Sequence, residues 1–388
     1  MLPTDKRTKI SSVCIYSPYW HNMGGGERYL LHLSKALSNF SDINVTLLST
    51  SPSISKQTLH AFFEVDLEGI NYHVVENKVS ALRKATERAD LFLPLSNYRR
   101  IDARPRRYVQ AFQVPYPKIN AKTISRKILR LEIKEGIKDI YRFKLLSRTK
   151  RHSALTLTNS QFVHDTLLKN FGLPSQVLYP PINDFNDPTI SKGQSILSVG
   201  RFFRGLYNDK RYDVLTKAFR ELYPMIPGWE YHIVGSISSN RKSAAHLEEL
   251  KEANRGYPIF FHTNVANEQL KSFYSNATVY WHGAGFGVDE EQQPEATEHF
   301  GMSVVESMTA GCIPVVVNKG GLKEIVSSDI DGFLWETTND LAEQTLQIIR
   351  ADEDERRSLA IEARKKSRKF SIESFNKRVV ELFTPLLR

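Results

Sequence analysis

Cysteine is scarce in this chain of 388 residues: Cys14 and Cys312 are the two it has, and both sit in segments that read as strands or strand entries. Two buried thiols give neither a disulfide framework nor a thiolate metal site, which fits a reducing compartment. No early apolar run resembles a signal sequence, and no stretch reaches the roughly 20 apolar residues of a membrane-spanning helix. The expectation is therefore a cytoplasmic chain. No cluster of His, Cys and carboxylate at metal-ligand spacing stands out, and no metal site is expected. No G-x-G-x-x-G follows the first strand, which excludes the dinucleotide-binding fingerprint. There is no internal repeat and no recognisable protein nucleophile.

What is present is an alternation of strand and helix patterns, twice over. The length is large for one core and comfortable for two. Ser11–Tyr16 reads as a buried strand, Met23-Gly24-Gly25-Gly26-Glu27 as a glycine loop, and Arg28–Leu37 as an amphipathic helix. Strand, glycine turn and helix open a doubly wound α/β domain. Val45–Ser49, Tyr72–Val75, Leu91–Leu95 and Tyr108–Phe112 continue it. Asn183–Gln194 is polar and turn-rich and reads as a linker. The pattern restarts at Ser195–Val199, closed by Gly200-Arg201, with a helix over Tyr212–Leu222. Further strands follow at Tyr231–Val234, Pro258–Phe261 and Thr278–His282, with helices around Ala244–Ala253 and Asn267–Tyr274. Two facing parallel-sheet domains are expected. Their bounds are 1–185 and 186–370, with a terminal helix over 371–388.

The most informative stretch is Glu298-His-Phe-Gly-Met-Ser-Val-Val-Glu306. It places two carboxylates with seven residues between them around a loop that opens a short helix, Ser303–Ala310, followed by the strand Ile313–Val317. Gly301 lets the backbone approach a ligand closely, and the helix start turns free N–H groups and a positive dipole end towards it. A phosphate is the natural guest of those amides. The carboxylates are poor phosphate ligands but good acceptors for sugar hydroxyls. Together they point to a nucleotide sugar.

This run is flanked by Ala310-Gly311-Cys312-Ile313-Pro314-Val315-Val316 and Gly320-Gly321-Leu322-Lys323-Glu324-Ile325-Val326. The whole segment resembles the donor-binding region of retaining glycosyltransferase family four, whose E-x7-E motif sits on a GT-B fold of two Rossmann-like domains. The resemblance implies a retaining, metal-independent hexosyltransferase that needs no cofactor beyond its nucleoside-diphosphate sugar. By the same resemblance Glu306 would accept the ribose hydroxyls and Glu298 the hydroxyls of the transferred sugar. The amides of Phe300 and Gly301 would bind phosphate or sugar oxygens. Arg201 and Lys210 would hold the donor diphosphate, and with Glu298 form the catalytic set. Gly24, Gly25 and Gly26 would lie against the diphosphate and border the acceptor. Val265 would lie where the nucleotide base is read, largely through backbone atoms, so the base is not legible. The resemblance also implies that the terminal helix crosses back onto the first domain. In this family the leaving phosphate is thought to help deprotonate the acceptor, on the face that the sugar leaves.

Two departures from the family pattern stand out. Phe202–Asp209 separates the two cations more widely than is common, so Arg204 or Arg211 could stand in for Lys210. Gln113 precedes Val114-Pro115 where the family often has a histidine, and an amide cannot carry a proton. His299 either points at the donor or is a satisfied structural histidine. The glycine-rich Trp281–Gly287, followed by Asp289-Glu290-Glu291, reads as a lid or as a surface loop.

Positive charge is concentrated in residues 118–151, where twelve basic side chains face Glu132, Glu135 and Asp139. Ile124, Ile128, Leu131, Ile137, Ile140 and Leu145 recur at roughly helical spacing, which gives one or two amphipathic basic helices. Such helices are either a solvated face or a seat on an anionic membrane, and the second would make the protein peripheral on the inner face of a membrane. No stacked-aromatic nucleic-acid motif accompanies them, and no nucleic-acid partner is expected. The acceptor would be a glycan, a lipid-linked sugar or another hydroxyl compound, in the synthesis of polysaccharides or glycoconjugates. The competing readings are a GT-B epimerase or phosphorylase, and a non-enzymatic basic module.

Overall fold

Short runs of β-branched and aromatic residues, each stopped by glycine, proline or a polar turn, form the strands of two sheets. The computed structural model describes residues 10–97, 100–129, 131–203, 209–237 and 241–387. β1 (Ser12–Ser17), β2 (Asn44–Ser49), β3 (Asn71–Val74), β4 (Leu91–Pro94), β5 (Arg107–Phe112), β6 (Leu155–Thr158) and β7 (Gln176–Val177) make one sheet. Its order is β3-β2-β1-β4-β5-β6-β7. β8 (Gly193–Val199), β9 (Glu230–Gly235), β10 (Ile259–Thr263), β11 (Ala277–His282), β12 (Ile313–Val317) and β13 (Phe333–Trp335) make the other. That order is β10-β9-β8-β11-β12-β13.

Every described pairing is parallel. Parallel strands joined by helical crossovers are covered on both faces, so they read as apolar runs rather than alternating ones. β12, with the sequence IPVVV, is buried at all five positions. The strand order reverses between β1 and β4 in the first sheet and between β8 and β11 in the second. At such switch points the connections leave in opposite directions and open a crevice at the carboxyl ends of the strands.

The first compact unit is Met1–Pro181 with Ile372–Arg388, and the second is Ile182–Ser371. The sequence puts the first boundary at 185/186. The structure moves it because Ile182 donates its amide to Phe370 O at 2.9 Å and Phe185 donates to Thr309 Oγ1 at 3.0 Å. The polar stretch read as a linker is laced onto the second unit in this way, and its last residues, Gly193 and Gln194, already belong to β8. The terminal helix Ile372–Leu387 sits in the first core. Phe375 packs edge-on against Tyr29 with ring centroids 5.7 Å apart, and Val379, Phe383 and Leu387 join Leu30, Leu33 and Ile10.

The basic segment is two helices, Ala121–Leu129 and Ile133–His152. Asp139, 1% exposed at its side chain, joins them by ion pairs to Lys127 Nζ at 2.6 Å and Arg142 Nη1 at 2.9 Å. Two of the cations counted in the sequence are therefore taken up by a buried aspartate. The apolar positions divide as well. Leu145 is buried, whereas Ile128, Leu131 and Ile137 are exposed.

Candidate functional site

The switch point of the second sheet brings together Lys210 and Glu298, two of the residues singled out by sequence. β8 ends at Val199 and hands on to Gly200 and the exposed Arg201. Further along the sequence, Lys210 lies over the strand end. A Cβ on Gly200 would come within 2.9 Å of Lys210 Cγ and Cε, so the lysine stem uses the space that glycine leaves. Arg204 falls outside the described residues. Arg211 is engaged elsewhere, donating to Phe286 O at 2.5 Å and pairing with Asp213 at 3.2 Å.

Lys210 Nζ meets Glu298 Oε2 at 2.5 Å, and each side chain is 15% exposed. The same oxygen faces His282 Nε2 at 2.9 Å. His282 closes β11 and is buried. Burial would raise the Glu298 carboxyl, but the Lys210 charge and the His282 hydrogen bond outweigh it and hold the group far below the usual carboxylate range. Burial, and then the Lys210 charge, push His282 below the ordinary imidazole value. A neutral His282 donating from Nε2 satisfies both observations. The centre is a fixed carboxylate, an ammonium and an imidazole at the mouth of the sheet.

Glu306 lies one turn into the helix Met302–Thr309 and accepts a hydrogen bond from Tyr274 Oη at 2.9 Å. Burial, and then the Glu306 charge, raise the Tyr274 hydroxyl well above the ordinary phenol value. Tyr280, on β11, is raised by burial first and also by the charges of Glu306 and Glu298. The two carboxylates thus act on one buried hydroxyl and share a neighbourhood.

Gly301 caps the helix start at φ 112°, a backbone that side chains other than glycine's rarely accept. Phe300 is buried against Phe370 with ring centroids 5.2 Å apart. His299 Nε2 is 3.0 Å from Glu295 O, the arrangement of a structurally satisfied histidine. The Gly320-Gly321 turn clasps this loop, since Gly321 donates its amide to Glu298 O at 2.8 Å. A Cβ at Gly321 would meet His299 O at 2.5 Å and Phe300 Cα at 2.8 Å. Gly321→Ala should therefore destabilise the protein by about 1–3 kcal/mol, as overpacking does, and lower the melting temperature. An unchanged melt would mean that the loop moves aside freely.

Val265 follows Asn264, which takes a left-handed φ of 52°. Asn264 is fixed by its amide to Gly235 O at 3.0 Å, and Ile237 donates its amide to Asn264 Oδ1 at 3.2 Å. The Trp281–Gly287 segment does not have the character of a loose lid. Trp281, His282 and Ala284 are buried, and Glu290 ties the following loop to Gly320 N at 2.9 Å and Lys323 Nζ at 2.5 Å.

In the first unit the glycine loop occupies the corresponding switch point after β1. The helix Gly25–Ser38 starts there, and buried Glu27 accepts from Gly24 N at 3.1 Å and Ser17 Oγ at 3.1 Å. A Cβ at Gly26 would meet Gln113 Oε1 at 2.7 Å, so the amide of Gln113 lies against this turn.

Sequence reasoning passes over His282, Tyr274 and Tyr280. A histidine at the carboxyl end of a central strand beside a switch point is a signal that could have singled out His282. Two Asp-x-Asp pairs also occur, at Asp329-Ile330-Asp331 and Asp352-Glu353-Asp354. Asp331 accepts from Ser327 N at 2.7 Å, and Asp352 caps a helix by accepting from Glu355 N at 2.8 Å.

The model of the family "Glycosyl transferases group 1" matches residues 182–366, nearly the whole second unit. The human GDP-Man:Man(3)GlcNAc(2)-PP-Dol alpha-1,2-mannosyltransferase is 26% identical over 58% of this chain and 46% of its own length. The alpha-1,3/1,6-mannosyltransferase ALG2 of Rhizomucor pusillus is 28% identical over 53% of this chain and 52% of its own. The chain thus spans about half the length of the curated relatives it matches. Among solved structures, Anabaena HepE in complex with UDP-glucose superposes with a TM-score of 0.70 over 96% of this chain and 99% of that one, at 16% identity. WaaG, involved in lipopolysaccharide biosynthesis, superposes with a TM-score of 0.66 over 96% and 99%, at 15% identity. These likenesses show the fold: two Rossmann-like domains of the GT-B type.

Proposed function

We propose that this chain is a retaining glycosyltransferase that moves a hexose from a nucleoside-diphosphate sugar to a glycan or lipid-linked hydroxyl acceptor. The observation that carries the reading is the Lys210–Glu298–His282 centre at the switch point, one loop before the helix start at Gly301 and Glu306. In this reading Arg201 and Lys210 bind the departing diphosphate, helped by the amides at the start of the helix. Lys210 exchanges Glu298 for phosphate as donor binds. Glu298, with His282 fixing its orientation, is left to hold hydroxyls of the transferred sugar, and Glu306 holds the ribose. Gly24–Gly26 and Gln113 border the acceptor, and Gln113 acts through hydrogen bonds alone. The diphosphate itself receives the acceptor proton on the face it leaves. The human relative carries GDP-Man in its name and HepE was solved with UDP-glucose, so mannose and glucose donors are the first to test. The basic helices within residues 118–151 are the part offered to an anionic membrane surface.

Turnover of a panel of GDP-, UDP- and ADP-hexoses, with product anomers read by NMR, tests the reading directly. Transfer with retention of configuration is expected, and it should persist in excess chelator because cations of the chain neutralise the diphosphate. Arg201→Ala should weaken donor binding about tenfold, the value of a charge-assisted hydrogen bond. Loss of activity in chelator with rescue by magnesium or manganese would overturn the metal-independent part. Inverted product would overturn the retaining part.

A further inference from the structure

A second cluster of cations lies in the first unit, apart from the donor residues. A cavity of about 490 Å³ is lined by Arg83, Arg100, Asp102, Tyr141, Lys144 and Arg148, among others. Asp102 is the acid among these six and is taken by Arg83, at 2.5 Å from Nη2 and 3.0 Å from Nε. Arg100 stacks on the Tyr108 ring with its guanidinium carbon 3.8 Å from the centroid. Its Nη1 is buried, with no hydrogen-bond partner among the described residues. Burial lowers the Arg100 pKa, and the nearby Arg148 charge adds to the effect. Asp102 also feels the Arg148 charge, but among the described residues none of Arg100, Lys144 and Arg148 has a carboxylate in ion-pair contact, an arrangement that an anion would relieve.

The helix that supplies Lys144 and Arg148 also carries Ile133, Ile137 and Tyr141. Positions 133, 137, 141, 144 and 148 recur at three- and four-residue steps and share one helix face. Its apolar half faces solvent: Ile133 is 52% exposed, Ile137 47% and Tyr141 49%, and at the preceding turn Leu129 and Leu131 are 84% and 83% exposed. Large apolar side chains grouped beside cations fit an interface between water and lipid better than water alone. We propose that the cavity binds the phosphate of an anionic membrane-lipid headgroup through Arg100, Lys144 and Arg148, with the Ile133–Ile137–Tyr141 stripe seated in the lipid beside it. The site deepens the membrane part of the reading above and rests on it for the source of the phosphate; it does not depend on the transferase chemistry.

The test uses the full chain, vesicles of phosphatidylcholine with and without phosphatidic acid, and the soluble dihexanoyl phosphatidic acid. Wild-type protein should sediment with the anionic vesicles alone, less so as salt rises, and should be stabilised thermally by the short-chain lipid. Lys144→Gln with Arg148→Gln removes two cations worth about 1 kcal/mol each at a lipid surface, so vesicle binding should weaken on the order of thirtyfold. The thermal shift from the short-chain lipid should disappear in the same variant. Lys122→Gln with Lys134→Gln, which removes equal charge outside the cavity, should keep that shift. Ile133→Ser with Ile137→Ser should weaken vesicle binding and keep the shift too. An undiminished shift in the cavity variant overturns the pocket while leaving a general electrostatic surface standing. No wild-type binding to anionic vesicles at low salt overturns both. Stabilisation by inorganic phosphate without vesicle binding overturns the lipid as the source.

Discussion

Lys210→Met is expected to destabilise the protein by about 3 kcal/mol at neutral pH and to lower transfer at least a hundredfold. Breaking a buried ion pair by removing one partner leaves an uncompensated charge, at a cost of about 3–5 kcal/mol. The lower end applies because each side chain retains 15% exposure. In the proposed reading Lys210 binds the departing diphosphate, and the effect on transfer follows from the loss of that fixed cation.

The pH dependence gives a sharper signature. In the wild type the native Glu298 carboxyl lies far below its ordinary value of 4.5. The stability it contributes is therefore complete above that value and is lost only as pH falls through the depressed native one. Without Lys210 the largest charge opposing burial is gone, and the carboxyl is expected to rise well above its wild-type native position. The penalty is then present at neutral pH and relieved as the group takes up a proton. His282, no longer beside a like charge, can also accept a proton, with the same sign. The difference in melting temperature between the two proteins should thus shrink from pH 8 to pH 5. A gap that stays constant or widens on acidification would remove the pair from the account.

Glu298→Gln and Glu306→Gln are expected to act on different kinetic constants. In the proposed reading each loses a charge-assisted hydrogen bond to a sugar hydroxyl, worth roughly 1.5–3 kcal/mol, or about ten- to a hundredfold. Glu298 is proposed to face the reacting sugar, so its variant should lose turnover. Glu306 is proposed to face the ribose, so its variant should lose donor affinity, seen as a raised KM and a weaker Kd for the free nucleotide. The glutamines can still hydrogen-bond His282 and Tyr274, which keeps the folds comparable. Wild-type constants for both variants in a working assay would exclude these carboxylates from the site.

The longer strands and the helices beside them were legible because their patterns are long. Thr278–His282 and Ile313–Val317 read as buried strands from their β-branched, aromatic and apolar residues, and Tyr212–Leu222 read as a helix from its period and matches the structure end to end. β7 and β13 escaped, at two and three residues, because segments that short carry no period; β6 escaped as well, although β3 and β4, of the same four-residue length, were read. The Asn183–Gln194 stretch misled because its polar composition is that of a linker. Its backbone amides nevertheless bind side chains distant in sequence, such as Thr309 and Ser275.

The sequence alone determined a chain with two α/β patterns, a glycine loop in the first and a two-carboxylate helix start in the second. These depend on local spacing and on what glycine permits. The tertiary structure decided which groups meet. Lys210 reaches Glu298 across 88 positions of chain, and His282 joins them because β11 lies next to β8 at the switch point. The fates of the basic residues were likewise decided in space: Lys127 and Arg142 neutralise a buried aspartate, while Arg100, Lys144 and Arg148 are left around a cavity. A sequence records the charges but not their distances, and electrostatic energy depends on distance and burial.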